Sequence, residues 1–265
     1  MKEKIQIGIP CGPNSEMYVS FLISSIEATI SKDFDYEYIL GVNQKGVNFQ
    51  KFQNIKNLKV VEEYLGLPHV KGHGQCLDLI LRHMNAKYGM FVDSDVAFLK
   101  KSWDKLLVEK INDKCIMIGS EYHPTDGKIV NFPNVITCLF DVEKVKNLNL
   151  TFVPKLKHIQ ADDTNARWYG VQPGDQLYLD TGCHIPEDFG RAGFEWATMK
   201  IVTPRYPDRI PMMKFMKEGG RGEEYQLDGV PICTHIGRSL SRNFSRDTVI
   251  TNWLKSVKEW FDGQV

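Results

Sequence analysis

At 265 residues the chain is long enough to bury the core of one large α/β domain, and 42% hydrophobic with 25% charged residues is ordinary for a water-soluble globular protein. The 33 basic residues balance the 33 acidic ones, and a net charge of zero argues against strong non-specific nucleic-acid binding. The six cysteines (11, 76, 115, 138, 183 and 233) show no Cys-x-x-Cys or zinc-like spacing and read as reduced, buried thiols of a cytoplasmic protein, with no signal-peptide core at the N-terminus and no membrane-length apolar run.

Ile5-Gln-Ile-Gly-Ile9 predicts a first strand, stopped by Pro10 and Gly12. Asn14 or Ser15 then caps a helix in which Met17, Phe21, Leu22 and Ile26 recur at helical spacing. Tyr36–Val42 reads as a second strand ending at Asn43, and Leu58–Val61 as a short third. Gly72-His73-Gly74 opens a helix through Leu77, Ile80, Leu81 and Met84. A tight Lys87-Tyr88-Gly89 turn leads from it to an apolar strand, Met90-Phe91-Val92. This alternation predicts an α/β fold with a mixed, mainly parallel sheet flanked by helices and joined by right-handed crossovers.

Trp103–Lys110 reads as helical, and Cys115–Gly119 and Asn134–Phe140 as strands. Residues 149–174 and 203–230 are expected to be irregular, the second stretch carrying Gly219-Gly220-Arg221-Gly222, and such segments usually form binding loops or lids. From Ser245 a final helix lines Val249, Ile250, Trp253, Leu254, Val257, Trp260 and Phe261 along one face. That stripe is expected to pack on the core. With Lys255 and Lys258 beside it, the alternative is a peripheral membrane contact. One domain, 1–265, accounts for the whole, divided as 1–99, 100–244 and 245–265.

The chemistry concentrates at the end of the fourth strand, where Asp93 and Asp95 follow Val92. Unpaired acids at the end of a buried strand are costly, and a hard divalent cation, Mn2+ or Mg2+, supplies the compensation. Ligands of open α/β sheets bind at the carboxyl ends of the strands, where this pair would stand. A second Asp-x-Asp, Asp33-Phe34-Asp35, lies in a polar connection and reads as a solvated turn.

Taken in order, Ile7-Gly-Ile-Pro10, the helix after it, Ile39-Leu-Gly-Val-Asn43 and Gly74 through Asp95 resemble a glycosyltransferase of the GT-A fold, family-2-like and nucleotide-sugar-dependent. A second anchor lies far downstream at Cys233-Thr-His-Ile-Gly-Arg-Ser239. The resemblance implies a single Rossmann-like GT-A domain, with a 1–99 donor half, an acceptor-side half and a C-terminal helix. It implies transfer of a sugar from a nucleotide-diphosphate sugar, a UDP-sugar favoured, to an acceptor hydroxyl. Asp95 and His235 would ligate the metal, with Asp93 on the ribose or in the metal's shell. Pro10, Cys11 and Gly12 would form a backbone wall near the base. Asn43 stands where such enzymes often carry an acid. Among Arg238, Arg242 and Arg246, Arg238 is the diphosphate contact. Asp180, and second Asp175, would take the acceptor proton. The acceptor stays open among a glycan, a lipid-linked sugar, a protein and a modified DNA base.

Two rival readings stand beside this one. Asp93-Ser-Asp95-Val also resembles the opening motif of haloacid-dehalogenase-type phosphohydrolases, with Asp93 as nucleophile. That motif belongs on a first strand, however, and here three strands precede it. The other rival is a catalytically silent nucleotide-sugar-binding module. A sugar-nucleotide pyrophosphorylase would need a Gly-rich, Arg-containing loop, for which Pro10-Cys-Gly-Pro-Asn14 is a poor substitute.

Overall fold

The computed structural model describes residues 2–64, 69–122, 132–158, 176–178, 180–182, 184–203, 207–215, 222–236 and 246–263. The first half of the chain contains β1 (Lys4–Pro10), α1 (Glu16–Thr29), β2 (Asp35–Val42), β3 (Leu58–Glu62), α2 (His69–His83), β4 (Tyr88–Val92) and β5 (Val96–Phe98). There follow α3 (Trp103–Val108), β6 (Cys115–Ser120), β7 (Asn134–Asp141), α4 (Val142–Asn147), β8 (Leu156–His158) and β9 (Gln176–Tyr178). The last part holds α5 (Ile185–Ala192), β10 (Glu195–Val202), β11 (Glu223–Leu227), β12 (Val230–His235) and α6 (Arg246–Asp262).

Ten strands join in the order β3-β2-β1-β4-β7-β6-β10-β11-β12-β5, and β8 pairs with β9 separately. The sheet is mixed. Pairing is parallel through β3, β2, β1 and β4 and between β6 and β10, and antiparallel elsewhere. Because β1, β2 and β4 run parallel, the residues that follow them share one sheet edge, which is where a ligand site of this architecture forms.

The period of two sorts β1 between two helical layers. Ile5, Ile7 and Ile9, all fully buried, join Val19, Leu22, Ile23 and Ile26 of α1 in one cluster. On the other face a Cβ at Gly8 would stand 2.3 Å from Ile80 Cγ2, and one at Gly41 would stand 2.6 Å from Ile80 Cγ1, so α2 rides directly on the two glycines. Met17, expected on the apolar face of α1, is 51% exposed, because the buried face is turned to Tyr18, Val19, Leu22, Ile23 and Ile26. Ser15 precedes α1 without a side-chain cap, its hydroxyl donating to Gly12 O at 2.6 Å instead.

Residues 203–230, expected to be irregular, contain β11 and the turn that joins it to β12 in a hairpin. This Asp228-Gly229 turn takes positive φ at both residues, 50° and 76°, the geometry of a two-residue hairpin loop. Gln176–Tyr178 is a short strand paired antiparallel with β8. The aromatic stripe of α6 packs inward. Trp253 and Val257 are buried with Ala97, Leu99, Phe215 and Ile236, and the indole N–H groups of Trp253 and Trp260 donate to Thr234 Oγ1 and Leu99 O, both at 3.1 Å. The stripe expected as an alternative membrane contact is therefore committed to the core. No helix among the described residues is long and apolar enough to cross a membrane.

Candidate metal and donor site

The chain leaves β4 at Asp93. Its N–H still donates to Ile136 O at 2.8 Å, while its carbonyl accepts from Val96 N at 3.3 Å, a turn that peels β5 away from β4. β5 then pairs antiparallel with β12, setting Val96 opposite His235, Ala97 opposite Thr234 and Phe98 opposite Cys233. Ile236 N donates to Asp95 O at 3.2 Å and closes the register. Backbone pairing, not side-chain affinity, thus carries His235 to the two acids.

Asp95 and His235 are each 8% exposed, and Asp93 is half-buried. One ligand atom from each of Asp93, Asp95 and His235 falls within 4.8 Å of the others. An ion bonded to oxygen or nitrogen at about 2.0–2.6 Å holds its ligands at such separations. Two carboxylates and an imidazole suit Mn2+ or Mg2+ better than a soft metal. His235 Nε2 stands 3.2 Å from Asp95 Oδ1, and Nδ1 stands 3.0 Å from Glu223 Oε2. Leaving this many charges near the core would cost several kcal/mol per ion without compensation.

A second histidine faces Asp93. His73 Nε2 lies 3.2 Å from Asp93 Oδ1, and His73 Nδ1 lies 3.3 Å from Thr181 Oγ1. Burial opposes charge on this ring, but Asp93 above all, then Asp180 and Asp95, outweigh it and hold the pKa above the ordinary imidazole value. Asp180 belongs to the same neighbourhood, its Oδ1 accepting from Thr181 N at 2.9 Å. The start of α2 is fixed by contact: a Cβ at Gly74 would lie 2.5 Å from Phe152 O, the oxygen that accepts from Gly182 N at 3.0 Å. One backbone carbonyl thereby ties the His73 turn to the Asp180–Gly182 segment.

The remaining expected residues divide. Cys11 N donates to Gly41 O at 2.8 Å, and its buried thiol, pushed up to about 11 by burial, contacts Ser15 Oγ at 3.2 Å, so only backbone is offered there. Gly12 O accepts from Ser15, and its α-carbon faces open space short of Gln44. Pro10 ends β1 half-buried. Asn43 Nδ2 donates to the carbonyl of Gly72, which leaves Oδ1 as an acceptor and the second amide hydrogen as a donor. Asp175, Arg238 and Arg242 lie outside the described residues, as does most of the Gly219–Gly222 loop. His73, Thr181 and Glu223 were not among the expected site residues. Counted back from Asp228-Gly229, a regular hairpin would set Glu223 opposite Thr234; a register irregularity between Tyr225 and Gln226 moves it opposite His235 instead.

No family model matches the chain, and no curated protein matches it. Among solved structures it is similar to the mannosyltransferase PcManGT from Pyrobaculum calidifontis in complex with GDP-Man and Mn2+, at 12% identity and a TM-score of 0.48, over 75% of this chain and 55% of that one. It is similar to S. aureus TarS 1–349 in complex with UDP-GlcNAc, at 19% identity and a TM-score of 0.42, over 57% of this chain and 48% of that one. The galactosyltransferase LgtC in complex with donor and acceptor sugar analogs aligns over 81% of this chain and 80% of that one, at 13% identity and a TM-score of 0.46. The chain spans about half the length of the first two.

Proposed function

We propose that the chain is a metal-dependent glycosyltransferase of the GT-A type, moving a sugar from a nucleotide-diphosphate sugar to an acceptor hydroxyl. The observation that carries this reading is the cluster of Asp93, Asp95 and His235 at the carboxyl edge of β1, β2 and β4. Asp95 and His235 would hold the cation directly, with Asp93 as the third ligand or on the ribose. A divalent cation there supplies Lewis-acid stabilisation of the diphosphate leaving group. Asn43 Oδ1 suits a base that offers a ring N–H, as uracil does at N3, and the backbone of Pro10, Cys11 and Gly12 walls that side. Asp180 takes the acceptor proton as the acceptor oxygen bonds to the anomeric carbon and the bond from that carbon to the diphosphate breaks. The described cysteines are free thiols, which fits a reducing, cytoplasmic compartment.

The phosphohydrolase reading is disfavoured because Asp93 follows β4, not β1, and its carboxylate faces His73. A thermal-shift panel of UDP-, GDP-, CMP- and dTDP-sugars, each with Mn2+ and with EDTA, tests the proposal. A ligand at about 100 times its Kd adds about 2.7 kcal/mol of stability. We expect a Mn2+-dependent rise with a UDP-sugar that vanishes in Asp95→Ala. No rise with any donor in folded protein overturns the reading, and phosphate release from a generic phosphomonoester would replace it with the hydrolase.

A further inference from the structure

Glu223 opens β11 and stands opposite His235 in the hairpin register. Its side chain is 10% exposed, and one oxygen, Oε2, receives both His235 Nδ1 at 3.0 Å and the Tyr225 hydroxyl at 2.8 Å. Glu223 and Tyr225 are two residues apart on one strand and so share a face. An ionised carboxylate only accepts hydrogen bonds, so the proton of the contact is on Nδ1. With Nδ1 donating to Glu223, a neutral imidazole turns the lone pair of Nε2 toward Asp95 Oδ1, 3.2 Å away. Two acceptors at that distance repel unless something electropositive lies between them.

We propose that Glu223 is a positioning residue: by fixing the tautomer and ring plane of His235 it makes Nε2 a ligand of the divalent cation, with Tyr225 steadying the carboxylate. The inference rests on the metal site of the proposed function and extends it to a residue that touches neither metal nor donor. The same arrangement without a cation would be a closed ion-pair triad in which a doubly protonated His235 bridges Glu223 and Asp95. The two arrangements make different predictions for Mn2+.

The experiment uses the full chain and Mn2+ alone. Free Mn2+ is followed by electron paramagnetic resonance, and nitrogen coupling to bound Mn2+ by pulsed measurement on the same samples. Wild-type protein should bind Mn2+ with an imidazole nitrogen signal that His235→Ala removes. Glu223→Asp keeps the charge but withdraws the carboxylate, and should weaken Mn2+ about 10–100-fold and diminish the nitrogen signal, the usual penalty for losing a group that orients a ligand. Tyr225→Phe should weaken binding by a smaller factor while the metal-free thermal midpoint of every variant stays close to wild type. Wild-type affinity and nitrogen coupling in both Glu223→Asp and the isosteric Glu223→Gln would overturn the positioning role alone. A wild-type chain that binds no Mn2+ would overturn it together with the metal site itself, in favour of the ion-pair triad.

Discussion

His73 Nε2 lies 3.2 Å from Asp93 Oδ1, just as His235 Nε2 lies 3.2 Å from Asp95 Oδ1. The other nitrogen of the His73 ring meets Thr181, whose backbone N–H is bound by Asp180. One imidazole therefore connects the acid proposed for the donor side to the acid proposed for the acceptor side. His73→Phe keeps the ring volume and removes both contacts. Turnover should fall by about 100-fold, the scale of a small misplacement of reacting groups. Donor binding in the presence of Mn2+ should stay within about threefold of wild type. Initial rates across a donor series check this, because a purely structural role would lower stability and leave kcat per folded molecule unchanged.

Asp180→Asn should preserve Mn2+-dependent donor binding and depress transfer by about 100-fold or more, the range for removal of a general base. Asn still accepts from Thr181 N, so the local turn survives the change. Calorimetric donor binding beside transfer rates reads the two effects apart. Unchanged transfer would discard Asp180 as the base.

Gly8 and Gly41 report on how tightly α2 seats on the sheet. Gly41→Ala places a methyl carbon 2.6 Å from Ile80 Cγ1 and 2.8 Å from Cys76 Sγ. Overpacking of this kind costs about 1–3 kcal/mol. Urea denaturation should register that loss, and Ile80→Val in the same chain should return part of it, a non-additivity expected of residues in direct contact.

His184 supplies a pH dependence of known sign. Burial above all, then the charge of Lys155, holds its pKa below the ordinary imidazole value. The unfolded chain thus takes up this proton at a higher pH than the folded one. The contribution to stability is complete above an unfolded pKa of about 6.5 and is lost as pH falls toward the folded value. Denaturation of wild type between pH 8 and pH 5 should show a decline that is shallower in His184→Phe. An identical slope in both would remove His184 from the account.

The parts of this fold that announce themselves are those whose burial follows apolar periodicity. Ile5, Ile7 and Ile9 alternate, Met90-Phe91-Val92 runs unbroken, and both are strands with fully buried apolar side chains. The α6 stripe likewise packs as its spacing predicts. β11 is different. Its five residues, Glu223-Glu-Tyr-Gln-Leu227, are all buried, yet four carry polar groups. They are satisfied within the fold: Glu224 Oε2 accepts from Lys214 N and Phe215 N, and Gln226 Nε2 donates to Met212 O. Polarity masks such a strand from any reading based on hydrophobic pattern, although its Asp228-Gly229 turn is a local signal that survives. Asp93 and Asp95 were legible as a pair because they stand two residues apart just past one apolar strand, and the structure groups them with His235. His73 and Glu223 were not, because their roles depend on contacts made only after the sheet closes.

β4 and β5 are joined by three residues, Asp93, Ser94 and Asp95, yet β5 lies beside β12 at the far end of the sheet order. The strand that completes the surroundings of these acids, β12, follows them far along the chain, after β6 to β11. Loop-closure entropy must be met before so distant a pairing forms, which makes it a slow, late step of folding. The three side chains of the cluster therefore come together only once β12 has docked, long after the acid pair itself has been synthesised.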